Sequence, residues 1–262
     1  DAEVHGWIKS AAAAGEPPTP GIPAAHAMAI AFTSGSTGMP KAVAQTHASL
    51  LAQAACAVDT LAITPDDSSF NWLPLDHVGS IHMFHVRDLV AGIDQVHCPT
   101  GDIVGESLLW LDRLQELGAS ITWSPNFACG LVNRAVAEQP DRTWDLRALR
   151  VAMNSGEAIA LSTAQQFGRV ISTFGAAPEA AVWPAWGMSE TCSAVTYASR
   201  LHSVGDSVSV GRPIPALGVR IVLADGTVAN EGDDGELQVQ GPVVTRGYLN
   251  NDDANAESFT AD

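Results

Sequence analysis

"AFTSGSTGMPKAVAQTH", residues 31–47, places Thr33, Ser34, Gly35, Ser36, Thr37, Gly38 and Lys41 within nine positions. Hydroxyl donors, glycines and one ammonium at that density suit a polyphosphate. The spacing comes close to a P-loop and then departs from it. A Walker loop has Gly immediately before its Lys and Ser or Thr after it, where this chain has Pro40 and Ala42. Proline has no N–H to donate and a fixed φ, so that cradle does not form, and the hydroxyl meant for Mg²⁺ is missing. A P-loop-like phosphotransferase is therefore disfavoured. What remains is a glycine-loosened loop that wraps a polyphosphate with side-chain hydroxyls and backbone N–H groups. Before it, "MAIAF" (28–32) reads as a short buried strand. After it, Thr46 can cap a helix over "HASLLAQAACAVDTL".

Outward from this stretch, apolar strand-like runs alternate with helical patterns. "SSFNWLPL", "DQVHCP", "ASITW", "ALRVAMNSG" and the start of "AAVWPAWGMSE" read as strands. "IHMFHVRDLVAG", "ESLLWLDRLQELG", "NFACGLVNRAVAEQ" and "STAQQFGRVISTFG" read as helices, with Gly92 and Gly118 as stops. That alternation predicts an α/β fold, a predominantly parallel sheet layered with helices. Ligands of such sheets sit in loops at the carboxyl ends of strands, and loops 33–41, 154–158 and 186–191 each follow an expected strand. From about residue 204 short Val-rich runs are broken by "ADG" and "DDG" turns, which predicts a small antiparallel β unit, a partial barrel. The expected organisation is a Pro-rich lead-in over 1–27, an α/β core over 28–203 and the β unit over 204–262. "NDDANAESFTAD" shows no clear closing element, and Asp252-Asp253 reads as a solvated pair.

Composition narrows the partners. Of 262 residues 46% are hydrophobic and 16% charged, enough apolar surface for a core. The formal charge of −16 repels nucleic acid and anionic membrane, so neither is expected as a partner. Lys9 and Lys41 are the only lysines, which makes Lys41 conspicuous. Cys56, Cys98, Cys129 and Cys192 lie far apart without CxxC spacing and read as reduced core residues of a cytoplasmic protein. His82 and His85 fall i, i+3 on one expected helix face, but no paired cysteine or fourth ligand supports zinc, and packed histidines are preferred.

"FTSGSTGMPKAV" resembles the signature loop of the adenylate-forming enzymes. These include acyl- and aryl-CoA ligases, fatty-acyl-AMP ligases and nonribosomal peptide synthetase adenylation domains. Further stretches agree in order: "NWLPLDHVGS" (71–80) resembles the family's "LPLFH", "NSGEAI" (154–159) its "GGEAL", "WGMSET" (186–191) its "YGMTET", and "GELQVQGPVVTRGYLN" (235–250) its "GEL…G…GY" segment. The resemblance implies ATP-dependent activation of a carboxylic acid as an acyl-adenylate with release of pyrophosphate. Transfer to CoA or to the phosphopantetheine of a carrier-protein domain would follow, in a synthetase or polyketide loading module. The alternative is a nucleotide-binding module without catalysis.

The resemblance also carries roles. Thr33, Ser34, Gly35, Ser36, Thr37, Gly38 and Lys41 would hold the β- and γ-phosphates of ATP. Gly156, Glu157 and Ala158 would line the adenine, and Trp186 would stack on it. Gly187 and Met188 belong to the same turn. Ser189 would contact the α-phosphate and Glu190 would help bind Mg²⁺, a hard cation that takes few carboxylates plus phosphate oxygens. His77, Val78, Ile81, Met153, Ser155, Ala185, Ser193 and Ala194 match acid-pocket positions. His77 falls where amino-acid-activating members place an Asp for the α-ammonium, which favours an acid without an amine; a one-residue shift would bring Asp76 there instead. Glu157 reads equally as a capping residue, and Cys192 as a buried thiol. The family's "TGD" Asp and late lysine have no match here, so the chain is expected to be an internal piece of a larger enzyme, with little turnover alone.

Overall fold

Runs that alternate between strand and helix period fold here into a sheet covered on both faces. The computed structural model describes residues 21–33, 40–177 and 182–260. The chain enters through an antiparallel hairpin, β1 (Ala27–Thr33) and β2 (Lys41–Thr46), followed by α1 (His47–Thr60). Thr46 caps α1 as expected: its Oγ1 accepts from Ser49 N–H at 3.1 Å, and its own N–H donates to Ser49 Oγ at 3.0 Å. Next come β3 (Ser68–Asn71), α2 (Val78–Ser80), a π-helical turn (Ile81–Val86), α3 (Arg87–Ala91) and β4 (Asp94–His97). Then follow α4 (Thr100–Gly105), α5 (Leu109–Leu117), β5 (Ile121–Ser124), α6 (Asn126–Glu138), β6 (Val151–Asn154), α7 (Leu161–Thr173) and β7 (Val182–Met188). Gly92 and Gly118 do end their helices, at φ of 68° and 58°.

A 3₁₀ turn (Ser189–Thr191) leads from β7 into β8 (Ser193–Tyr197). Short strands β9 (Ser203–Val204), β10 (Ser207–Val208), β11 (Arg212–Pro213), β12 (Gly218–Val222) and β13 (Glu236–Gln240) follow, then α8 (Asp252–Ser258). The main sheet has seven strands in the order β11-β8-β7-β6-β5-β3-β4. Strands β3 to β7 pair in parallel, while β8 and β11 extend the sheet antiparallel. The pairs β9–β10 and β12–β13 are small antiparallel sheets, as the Val-rich runs predict. No helix among the described residues is long and apolar enough to cross a membrane.

Central strands bury both faces, the mark of a helix-covered parallel sheet. On β5, Ile121 and Trp123 join a cluster with Met83, Phe84, Val151, Met153 and Val195. The opposite cluster packs Phe70, Trp110, Leu111, Val132 and Phe167 beneath α5, α6 and α7. Each fully buried side chain of this size contributes roughly 1.5–3 kcal/mol.

Two expectations need correction. "MAIAF" is a strand, but it is not buried and does not belong to the parallel sheet: Phe32 is 70% exposed, and Met28 and Ile30 are exposed too. Among the described residues it pairs with β2 alone, antiparallel, so Thr33 does not end a parallel strand. The final stretch does have a closing element, because Asn251 Oδ1 accepts from Ala254 N–H at 3.1 Å and starts α8. The Asp252-Asp253 pair is exposed and lies in the first helical turn, where the helix dipole favours negative charge.

Candidate active site

Loops after β3, β5, β6 and β7 meet at the carboxyl ends of the parallel strands, and the β1–β2 hairpin leans on them from the side. Three contacts fix that docking. Gln45 Nε2 donates to the Ser189 carbonyl at 2.9 Å, Thr245 Oγ1 to the Ala44 carbonyl at 3.2 Å, and Leu249 N–H to the Ala42 carbonyl at 2.8 Å. Thr33 and Lys41 face each other at the loop end of the hairpin. Ser34, Gly35, Ser36, Thr37 and Gly38 lie outside the described residues.

Lys41 reaches the turn after β7 through one aromatic ring. Its Nζ stands 4.8 Å from the centroid of Tyr248, whose hydroxyl donates to Glu190 Oε1 at 2.7 Å. Burial, then the hydrogen bond to Glu190 and its charge, pushes the Tyr248 hydroxyl up to about 12, so it remains a donor. The Glu190 carbonyl also accepts from Thr245 N–H at 2.7 Å. The hairpin cation and the turn carboxylate are therefore joined through Tyr248, and Glu190 and Tyr248 line a cavity of about 550 Å³ together with Met188, Val244 and Thr245 among others.

That turn is held in an unusual conformation. Cys192 has φ 61° and Ser193 φ 148°, values that β-carbons resist. The Thr191 hydroxyl accepts from Met188 N–H at 3.1 Å and donates to the Ser193 carbonyl at 2.9 Å. His82 Nδ1–H donates to the Cys192 carbonyl at 2.8 Å. Burial lowers the His82 pKa against that bond, which keeps the ring neutral. Gly187 is required at the end of β7, since a Cβ there would lie 1.9 Å from the Ser193 carbonyl oxygen.

Two further cavities open at this end of the sheet. One of about 550 Å³ is lined by Gly156, Glu157, Ala158, Ile159, Ala185, Trp186, Gly187, Asp206 and Ser207, so the "NSGEAI" and "WGMSET" stretches do meet around one space. Glu157 also caps a helix: its Oε1 accepts from Phe127 N–H, at the start of α6, at 2.6 Å. The other is small, about 40 Å³, and lies among His77, Val78, Met83, Trp123, Ser155, Gly187, Met188, Ser193 and Ala194. Met153 is instead buried in the core, Ala185 faces the larger cavity, and Ile81 is half-buried on the π-helical turn and is not among the residues that line either space.

His77, not Asp76, lines the small cavity. Its Nδ1 accepts from Gly79 N–H at 3.0 Å and caps α2, and its ring lies 5.7 Å from that of Trp123. Burial lowers its pKa, with Asp76 opposing, so the ring is neutral near pH 7. Trp123 had no role in the sequence reading. It closes the cavity floor with its Nε1–H on Ser155 Oγ at 2.8 Å and its ring tip over Gly79, where a Cβ would come within 2.3 Å. Tyr248 was likewise missed, although the "GY" pair stood in a quoted stretch. Asp206 and Ser207 carried no signal beyond a Gly-Asp turn.

Among the described residues no cluster of three or more His, Cys, Asp or Glu could hold a metal unaided. His82 and His85 diverge, the latter bonding Gln95 Oε1 at 2.9 Å. A cation that needs one carboxylate and fills its shell with phosphate oxygens and water still fits at Glu190, whose second oxygen is left free by Tyr248. The described cysteines are all free thiols, but only Cys129 and Cys192 are fully buried; Cys56 and Cys98 are partly exposed, against the expectation that all were core.

The chain matches the AMP-binding enzyme family over residues 2–249. Aspulvinone E synthetase melA of Aspergillus terreus is 33% identical over 270 residues, covering 99% of this chain and 29% of that protein. The structure titled McyG A-PCP complexed with phenylalanyl-adenylate superposes with a TM-score of 0.88 at 35% identity, covering 94% of this chain and 40% of that one. The adenylation domain of a keto acid-selecting NRPS module bound to keto acyl adenylate superposes with a TM-score of 0.84 at 32% identity, covering 94% of this chain and 50% of that one. The chain thus spans less than a third of that curated relative. With a family match across most of its length and the same fold beneath its ordered motifs, the chain belongs to the AMP-binding enzymes of the adenylate-forming superfamily.

Proposed function

We propose that the protein containing this chain activates a small carboxylic acid without an α-amine as its acyl-adenylate. A carboxylate oxygen attacks the α-phosphorus of ATP, the bond to the β-phosphate's bridging oxygen breaks, and pyrophosphate leaves. A thiol then attacks the acyl carbonyl and AMP departs. The observation that carries this reading is the Tyr248 ring that joins Lys41 to Glu190, on the turn that follows Trp186 and its cavity. In it Lys41, Thr33 and the hydroxyls of 34–38 bind the outer phosphates, Ser189 meets the α-phosphate, and Gly156, Glu157, Ala158 and Trp186 hold adenine. Glu190 would hold Mg²⁺, which would offset the phosphate charge when bound; no enzyme nucleophile is needed, and the chain's own contribution is positioning and electrostatics.

His77 supports the choice of acid. A neutral imidazole and a tryptophan line the small cavity, whereas an α-ammonium needs a carboxylate there, and Asp76 is not among its walls. A keto acid-selecting relative fits the same chemistry. The acceptor is a phosphopantetheine thiol on a carrier domain, in line with the carrier-protein complex among the similar structures; CoA is the competing acceptor. The free cysteines suit the reducing cytoplasm. A division near residue 203 is part of this reading. The α/β core supplies the strand-end loops, and the later unit brings Asp206, Thr245 and Tyr248 to them.

The test is exchange of labelled pyrophosphate into ATP by the full-length protein, across matched 2-oxo, 2-hydroxy and 2-amino acids. Exchange driven by the first two classes supports the proposal. Exchange driven only by amino acids removes the assignment of the acid, and ATP binding without any exchange leaves a nucleotide-binding module.

A further inference from the structure

We propose that Tyr248 is a positioning residue that keeps Lys41 and Glu190 apart, so that each stays available to MgATP. This rests on the reading of those two groups as phosphate and Mg²⁺ ligands. An ammonium and a carboxylate on adjoining segments attract, and a direct pair would neutralise the charges that MgATP needs. Among the described residues they form no ion pair; the phenol ring stands between them. Its face takes the Lys41 ammonium at 4.8 Å, and its hydroxyl takes one Glu190 oxygen at 2.7 Å, leaving the other oxygen for a cation.

The ring is itself held from several sides. Tyr248 N–H donates to Asn255 Oδ1 at 2.7 Å, and Asn255 Nδ2 returns a bond to the Tyr248 carbonyl at 3.0 Å. The Phe259 ring packs edge-on at 5.5 Å, and the backbone bridges Val43 on β2. Helix α8 therefore fixes Tyr248, and Tyr248 ties hairpin to turn. Its hydroxyl and its ring do separable work, which single substitutions can divide.

Binding of α,β-methylene-ATP to the full-length protein, measured over a Mg²⁺ titration, requires no knowledge of the acid. In Tyr248→Phe the Mg²⁺ midpoint should rise about ten- to a hundredfold, the loss of one hydrogen bond to a charged group, with little change in analogue affinity at saturating Mg²⁺. In Tyr248→Leu both should weaken, because Lys41 can then close on Glu190. Wild-type Mg²⁺ midpoints and affinities in both variants would overturn the proposal, as would a fall in melting temperature alone. If Tyr248→Leu does not fold, the Phe variant decides. Lys41→Met and Glu190→Gln separate the two readings. If neither weakens binding, the nucleotide site itself is misassigned; if they do and the Tyr248 variants do not, only the positioning role fails.

Discussion

Individual residues near the candidate site are constrained more by close approach than by charge. Gly79 admits the Trp123 ring tip, and any Cβ there meets it at 2.3 Å. Gly79→Ala should therefore push Trp123 off its floor position and destabilise the protein by about 1–3 kcal/mol in chemical denaturation, the usual range for overpacking. A loss below a few tenths would show that the ring moves freely. His77→Asp is expected to turn acid preference toward α-amino acids in a pyrophosphate-exchange panel; an unchanged ranking would remove His77 from the selection of substrate. Of these residues His77 was legible because it sits in a recognisable stretch. Trp123 was not, since a tryptophan ending an apolar strand has the same composition whether it packs in a core or floors a cavity.

Elements were legible wherever a periodic apolar face or a cap marked them. β5 and β6 are buried on both sides, and the alternation of such short strands with helical patterns announced a parallel sheet. The Thr46 cap was equally visible, and Thr46→Ala should cost about 1 kcal/mol by urea melts, as lost caps do. An unchanged midpoint would mean the docked hairpin alone sets the start of α1. β1 misled because "MAIAF" has a core strand's composition, while its pairing with β2 alone leaves its apolar side chains exposed. Helix α8 was missed because it is polar and has no apolar stripe; only the Asn251 cap announces it. The π-helical turn was read as plain helix, and its altered register sends His82 toward Cys192 and His85 toward Gln95.

Across the whole molecule, buried titratable groups set the response to acid. His77, His82 and His97 have pKa values lowered by burial below the usual 6.5. The unfolded chain then binds more protons than the folded one below that value, so stability falls as pH drops through the mid-6 range. Asp67 acts in a lower window. Burial opposes its ionisation, but bonds from Arg150, Ser120 and Thr64 N–H outweigh burial and hold it at about 2, against 3.8 unperturbed. Its contribution is present above about pH 4 and lost as pH falls toward 2. Melting temperature should therefore drop in two stages on acidification, and Asp67→Asn should flatten the second. A profile flat from pH 7 to 5 would contradict the first. None of this was readable beforehand, since Asp67, Ser120 and Arg150 meet only in the folded sheet; the resemblance assigned Lys41 and Glu190 to one ATP site, but the Tyr248 ring that links them was not foreseen.

On the proposed function, the hairpin and the turn after β7 grip one nucleotide so that an acid attacks its α-phosphorus. The most direct test is turnover of the full-length protein with a carboxylic acid labelled with ¹⁸O in the carboxylate, with thiol acceptor present. One labelled oxygen should appear in AMP, and Lys41→Ala or Glu190→Ala should abolish that transfer while the protein stays folded. Unlabelled AMP, release of orthophosphate in place of pyrophosphate, or full transfer in both variants would contradict the account.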